Sequence, residues 1–391
     1  MASPPPPIAE LIAAADRHAA ARDFVSARAA LKQALATARD DVELWLKLSA
    51  MCRADGDLNG ALAAIGGALR VDPLHFLALM IRANILEQRG DDSAGEAYGR
   101  ALAQRPDGAV PPSLERMIDH AQRHHRADCQ ARLAGLESTA APIVARASPD
   151  EAARAARFMT NALRITRPYH SEPTHYHYPG LAEREFHDRA DFPWLDALEA
   201  ATDAIAADFA RVVAAEHAGL VPYIQYPDDV PLRQWAELNH NPAWSAIHLW
   251  QNGRRVEANA RHCAATMAAI ADLPMPAIAG CSPNAMFSLL APGAHIPPHV
   301  GVANTRLVCH LPLIVPDGCW FRVGAQTRPW RRGEALLFDD TIEHEARNES
   351  DALRVVFIVD IWHPGLRPIE REAVTALMAA QNGGSGGSGG R

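Results

Sequence analysis

Four histidines lie in or beside short apolar runs in the last third of the chain. His295 and His299 flank Ile-Pro-Pro, His310 lies in Arg306-Leu-Val-Cys-His-Leu, and His344 follows Phe338-Asp-Asp-Thr-Ile-Glu. Taken singly, each reads as a surface or hydrogen-bonded core histidine, because His is intermediate in burial. Their combination with one arginine says more. His299 ends a loop, His344 comes 45 residues later, and Arg354 comes ten residues after that, at the head of the apolar run Val355-Val-Phe-Ile-Val. Neutral imidazoles suit iron, and two of them with open positions leave room for a bidentate oxoacid and oxygen. A guanidinium entering an apolar strand needs a partner. A ligand carboxylate matches its planar fork.

The elements that must hold these residues are short strands. Met286 to Leu290, Arg306 to Val315, Cys319 to Val323, Ala335 to Phe338 and Arg354 to Trp362 are β-like runs separated by turn residues. Several in succession suggest a sandwich or jelly roll. Helical stretches are expected at about 192–217 and 256–272, after a segment rich in aromatics, His and Pro that begins at Pro168. Ahead of it, residues 8–140 read as helix after helix with an internal repeat. Asp23, Asp57 and Asp91 are spaced by 34, and Ala27, Ala61 and Gly95 follow the same step. Ala34-Leu35, Ala68-Leu69 and Ala101-Leu102 recur alongside them. Gly56 and Gly90 end one helix of each pair, and Pro73 and Pro106 end the other. This period resembles the tetratricopeptide repeat, whose solenoids bind peptides or proteins on a concave face. Residues 141–167 read as a helical connector, 168–372 as the chemistry-bearing domain, and 382–391 as a flexible Gly/Ser tail. The expected fold class is therefore α+β and multidomain: a TPR-like α-helical solenoid, then a double-stranded β-helix of jelly-roll or cupin type with flanking helices.

Composition narrows the setting. The chain has 391 residues, 48% hydrophobic and 21% charged, as globular domains do. A net charge of -8 argues against a nucleic-acid partner, which needs clustered Lys and Arg. The six cysteines form no CxxC and are spread over both halves, which reads as reduced thiols in a cytoplasmic protein. The proline-rich start lacks a basic n-region, so no signal peptide is expected. No apolar stretch reaches the roughly 18 residues a membrane span needs.

The order of motifs is more specific than any one of them. His295-Ile-Pro-Pro-His299-Val-Gly301, Asn304-Thr-Arg306, His310-Leu, Gly333-Glu-Ala-Leu-Leu-Phe-Asp-Asp-Thr-Ile-Glu-His344-Glu and Arg354-Val-Val-Phe-Ile-Val-Asp-Ile-Trp-His363-Pro resemble the aspartyl/asparaginyl β-hydroxylase family. The resemblance extends upstream through Tyr178-Pro-Gly-Leu, Phe192-Pro-Trp-Leu, Leu249-Trp-Gln-Asn-Gly-Arg-Arg and Phe287-Ser288, and covers about residues 165–370. It implies an iron(II)- and 2-oxoglutarate-dependent dioxygenase, with O2 as second co-substrate. His299 and His344 would be the iron ligands. Arg354 and Ser288 would bind the distal carboxylate of 2-oxoglutarate, and His310 would contact the co-substrate beside the iron. Gly301 stands where most 2-oxoglutarate oxygenases carry a carboxylate ligand, a departure this family shares. Asp339, Asp340, Glu343 and Glu345 read as nearby carboxylates rather than ligands.

Alternation puts Arg306, Val308 and His310 on one strand face, expected to point into the barrel, and makes Arg306 a candidate for holding a substrate carboxylate. Trp250, Arg254 and Arg255 are further substrate-side candidates. The implied substrate is an aspartyl or asparaginyl residue in a peptide or protein, hydroxylated at the β-carbon. Val308 and Met286 stand where animal members tend to carry basic residues. That favours asparaginyl, another residue or a free small molecule over an acidic side chain in that pose. Two rivals stand beside this reading: a hydroxylase of a free or carrier-bound amino acid, and a non-catalytic TPR scaffold. A zinc hydrolase is weaker, since no HExxH or third nitrogen ligand is apparent. The repeats would present the substrate or recruit a protein partner.

Overall fold

In the computed structural model the described residues are 6–215, 221–227, 229 and 232–383. They form two compact units, Met1–Thr166 and Arg167–Arg391. The Gly/Ser tail lies outside the described residues beyond 383.

The first unit is helical. Its antiparallel pairs are α1 (Ile8–Ala20) with α2 (Phe24–Thr37), α3 (Val42–Ala54) with α4 (Leu58–Val71), and α5 (Phe76–Gln88) with α6 (Ala94–Leu102). They follow the 34-residue step read from the sequence, and the recurring chemistry of the step is visible in the turns. Arg22, Gly56 and Gly90 occupy one repeat position, with φ of 60°, 77° and 66°. Glycine adopts this left-handed conformation without a Cβ penalty. One residue later, Asp23 and Asp57 accept hydrogen bonds from the N–H groups of Ser26 and Gly60 and so cap α2 and α4. Ala27, Ala61, Ala34, Ala68 and Ala101 are all fully buried, so the small side chains sit where helices approach. Two more helices complete the unit: α7 (Pro112–Val144), and α8 (Pro149–Ala162), whose start is a Ser148/Glu151 capping box. The stretch expected as a connector at 141–167 thus consists of the end of α7 and all of α8, and it clusters with the helical unit up to Thr166.

The second unit is a two-sheet sandwich with helices on one side. Its elements run α9 (Leu195–Ala200), α10 (Thr202–Ala214), β1 (Val221–Pro222), β2 (Trp244–Gln251), β3 (Arg254–Arg255), α11 (Glu257–Ala260), α12 (Ala264–Ile270), β4 (Ala285–Leu290), β5 (His295–His299), β6 (Arg306–Ile314), β7 (Cys319–Val323), β8 (Gln326–Pro329), β9 (Leu336–Phe338), β10 (His344–Asn348), β11 (Arg354–Trp362) and α13 (Pro368–Gly383). The large sheet has strand order β1-β2-β4-β11-β6-β9, with β3 beside β2; the small sheet has order β5-β10-β7-β8. Every pairing is antiparallel.

Alternation along the large sheet divides its side chains between two cores. Leu249, Phe287, Leu307, Cys309 and Phe357 pack under Leu195, Ile205, Phe209 and Ile270 of the helices. Trp244, Met286, Val308, Val356 and Ile358 face the small sheet and meet Ile296, Phe321, Val323 and Ala346. Burying each large side chain of these cores contributes about 1.5–3 kcal/mol. The outcome is the expected α+β class, a helical repeat unit followed by an antiparallel jelly-roll-like unit. β5 escapes the strand reading because two prolines interrupt it. It lies on the edge of the small sheet, where proline is tolerated.

Candidate metal and oxoacid site

The interior between the sheets gathers the histidines expected to hold a metal. β5 and β10 are neighbours, and their register sets His299 directly opposite His344. The imidazole centroids are 4.0 Å apart and both side chains are buried. Each ring is oriented by its own backbone: His299 Nδ1 is 2.8 Å from the Pro297 carbonyl oxygen, and His344 Nδ1 is 3.1 Å from that of Ile342. A proton held at Nδ1 leaves the Nε2 lone pair for a ligand, as backbone carbonyls do for metal-bound imidazoles. Burial pushes the His299 pKa down to about 4 and that of His344 well below its ordinary value. Both rings are therefore neutral at pH 7, the state a metal requires. Trp235 and Trp244 wall His299 at centroid distances of 4.9 and 5.9 Å. Gln234 grips the next residue, donating to the Val300 carbonyl at 3.0 Å and accepting from its N–H at 3.1 Å.

The position two residues after His299 is closed to a third ligand on that strand. A Cβ at Gly301 would overlap the Asp340 carboxylate. Asp340 also receives the Gly301 N–H on its carbonyl at 2.6 Å. The space a facial-triad carboxylate would occupy thus already contains a carboxylate, delivered from the loop before His344. One of its oxygens, Oδ1, is buried without a hydrogen-bond partner.

Arg354 lies on the same interior face, 1% exposed. Its Nη1 is 3.4 Å from the Ser288 carbonyl and 3.5 Å from the Ser288 hydroxyl, its Nε has no partner, and its guanidinium carbon lies 4.8 Å over the Trp330 ring. Among the described residues no carboxylate is within ion-pair reach of it. Burial lowers its pKa to about 10, so it remains charged at pH 7. Ser288 accepts from the Trp244 indole N–H at 3.1 Å, which leaves its own proton free to donate. His310 packs against Phe338 at 4.7 Å and Phe321 at 5.2 Å, with Nδ1 buried and unpartnered. The Trp330 indole N–H is buried and unpartnered as well. Unsatisfied buried donors beside an uncompensated guanidinium describe a receptor for an anion, since each such group is costly unless a ligand meets it.

The remaining expected residues are engaged in other ways. Arg306 sits between Asp340 at 3.1 Å and Asp360 at 3.5 Å, so its charge is already matched inside the protein. Trp250 packs with the helix-side core, on the far face of the large sheet. Arg254 is exposed in β3, and Arg255 pairs with Glu257 at 3.2 Å. Gln234 and Trp330, with the walls Trp235 and Trp244, line the site without having been singled out in the sequence, where Asp340 was read only as a nearby carboxylate. The first two lie in segments without a motif. Asp340 is one of four carboxylates around His344 that spacing alone does not separate. None of the six cysteines, all among the described residues, is joined in a disulfide. No helix among the described residues is long and apolar enough to cross a membrane.

Residues 199–364 match the aspartyl/asparaginyl beta-hydroxylase family. Human aspartyl/asparaginyl beta-hydroxylase is 37% identical over 153 residues, which is 39% of this chain and 19% of that protein. Human aspartate beta-hydroxylase domain-containing protein 2 is 37% identical over 153 residues, 38% of this chain and 42% of that one. Bovine aspartate beta-hydroxylase domain-containing protein 1 is 35% identical over 189 residues, 47% and 48% respectively. The chain thus spans between about a fifth and a half of the length of these relatives. Among solved structures, the Sgt2 TPR domain from Aspergillus fumigatus is similar at 21% identity and a TM-score of 0.27, over 30% of this chain and 80% of that one. The matched stretch includes β2 to β11 and carries both histidines, Ser288, His310 and Arg354, so the similarity to the aspartyl/asparaginyl beta-hydroxylase family falls on the site-bearing part of the two-sheet unit.

Proposed function

We propose that the chain is an iron(II)- and 2-oxoglutarate-dependent hydroxylase that oxidises the β-carbon of an aspartyl or asparaginyl residue in a peptide or protein. The observation that carries this reading is the pairing of two buried neutral imidazoles with a buried guanidinium that has no carboxylate partner among the described residues. His299 and His344 would hold the metal through Nε2. Bound there, iron(II) with 2-oxoglutarate and dioxygen supplies C–H hydroxylation, one oxygen atom entering the product and the other leaving in succinate as carbon dioxide is released. Arg354 and the Ser288 hydroxyl would clamp the distal carboxylate of the oxoacid, and His310 would border it. Trp235, Trp244, Phe321 and Phe338 exclude water around the histidines. The Gln234 clamp and the two carbonyl contacts fix the rings before any ligand arrives, so little order has to be imposed on binding.

A second substrate reading rests on a specific observation. On the interior face, the row beside Ser288 is His248, Met286, Ile358 and His310, and Val308 follows. It offers no free cation, and burial lowers the His248 pKa to about 4, so that ring is neutral. This favours a neutral asparaginyl side chain, or a free or carrier-bound amino acid, over an aspartyl carboxylate. Protein partners belong to the helical unit. There an open groove of about 760 Å³ is lined by Arg28, Lys32, Arg39, Arg70 and Trp45. Asp40 is the one acidic residue in that lining, which suits an acidic segment of a substrate or partner.

The test is anaerobic loading of iron(II), addition of oxygen, 2-oxoglutarate and Asp- or Asn-containing peptides, and measurement of succinate. Turnover is expected in wild type and is expected to be lost in His299→Ala and His344→Ala. Equal turnover in the variants would overturn the site assignment.

A further inference from the structure

The helical unit carries a second set of metal-compatible side chains. His125, Asp128 and Cys129 lie at i, i+3 and i+4 of α7 and so share one face of the helix. One ligand atom from each lies within 4.8 Å of the other two. His125 Nδ1 is 3.0 Å from the Gly95 carbonyl oxygen, which holds a proton there and leaves Nε2 free, the orientation a backbone carbonyl gives a metal-binding imidazole. Cys129 Sγ is 3.6 Å from that Nε2 and 3.7 Å from Nδ1, so a shared metal requires the thiol to turn toward the Nε2 side of the ring. A nitrogen and a sulfur bound tetrahedrally to one zinc ion, at about 2.0–2.1 and 2.3 Å, are about 3.5 Å apart. Asp128 Oδ2 is buried and accepts no hydrogen bond; its nearest cation, Arg132 Nη1, is 3.8 Å away.

The neighbouring helix is shaped around this cluster. A Cβ on Gly95 would overlap the Asp128 side chain, and one on Gly99 would overlap the His125 ring. Gly95 occupies the repeat position that holds Ala27 and Ala61 in the earlier pairs. The helix contact loses a methyl group where Asp128 comes in. The competing arrangement is a plain thiol, donating to His125 or to the Leu163 carbonyl 3.9 Å away. That arrangement leaves the Asp128 oxygen unsatisfied.

We infer that His125, Asp128 and Cys129 form a site for a thiophilic divalent cation of the zinc(II) class, separate from the His299/His344 pair. A three-ligand set leaves one tetrahedral position open to water.

Sulfur makes the two sites distinguishable, because the His299/His344 site contains no cysteine. Metal-free full-length protein is titrated with cobalt(II) under anaerobic, reducing conditions and read by the near-ultraviolet thiolate-to-cobalt absorption band. One equivalent is expected to raise the band and zinc(II) to abolish it. The band is expected to vanish in Cys129→Ser and to need at least tenfold more cobalt in His125→Ala and Asp128→Asn, with helical circular dichroism unchanged. It is expected to persist in a His299→Ala/His344→Ala protein. No band in wild type, or a band retained in Cys129→Ser, would overturn the proposal. If Cys129→Ser unfolds, unchanged cobalt affinity in both other variants overturns it instead.

Discussion

Arg354 is the residue on which the co-substrate reading rests most heavily. Its contacts to Ser288 are long, and its Nε is unpartnered. A ligand carboxylate would therefore be its main partner, through a two-pronged contact that lysine does not reproduce. Arg354→Lys keeps the charge and loses the fork, a loss of about 1.5–3 kcal/mol for one charge-assisted hydrogen bond. The KM for 2-oxoglutarate, read as succinate formed against co-substrate concentration, is expected to rise by roughly ten- to a hundredfold, with a smaller change in kcat. Gly301 gives a prediction of the opposite kind. Restoring a carboxylate by Gly301→Asp does not rebuild a three-ligand site, since the Asp340 side chain occupies the space. That variant is expected to lose iron affinity and thermal stability, and Asp340→Ala in the same chain to recover part of both. Tighter iron binding by Gly301→Asp alone would refute this account. His299, His344, Ser288, His310 and Arg354 each sit in an ordered motif of the sequence, and all five are buried in the two-sheet unit. The placement of Trp250 was not legible, because Trp and Arg in one short motif do not reveal which face of the sheet the tryptophan takes.

At the scale of elements, the repeat was the clearest signal in the sequence, and its turns explain why. Asp57 closes two circuits: it caps α4 through the Gly60 N–H and receives Arg28 at 2.5 Å across the helix pair. Alanine there removes a cap, at a cost of about 0.5–2 kcal/mol, and leaves Arg28 with Asp55 alone. The unfolding free energy of Asp57→Ala, read from a denaturant titration, is expected to fall by that amount, whereas Asp57→Asn retains the cap and is expected to lose less. The strands were legible in proportion to their burial. β7 and β11 have the limits that their apolar runs predict, because such runs mark strands buried on one or both faces. β5 and β10 were not, although they carry the two histidines. His-Ile-Pro-Pro-His contains two prolines, and His-Glu-Ala-Arg-Asn is polar in all but one position. Each becomes a strand through its partner, an override of local propensity by tertiary pairing.

For the whole molecule, the question is what the helical unit adds to the proposed hydroxylase. The two rival substrates differ on it. A free amino acid does not require the groove bearing Arg28, Lys32, Arg39 and Arg70, whereas a protein substrate with an acidic segment would gain affinity from it. Arg28 is already matched by Asp55 and Asp57, which leaves Lys32, Arg39 and Arg70 as the cations to reverse. Charge reversal acts on encounter and binding rather than on the chemical step. In the full chain, Lys32→Glu/Arg39→Glu/Arg70→Glu is expected to raise the KM for an acidic protein substrate at least tenfold while leaving its kcat and the turnover of a short Asn peptide unchanged. Raising ionic strength is expected to produce the same pattern in wild type and much less of it in the variant, because exposed charges are screened over about 8–10 Å. If the triple variant handles protein and peptide alike, as wild type does, the groove has no part in presenting substrate. The proposed hydroxylase would then act on whatever small molecule or chain end reaches the space between the sheets.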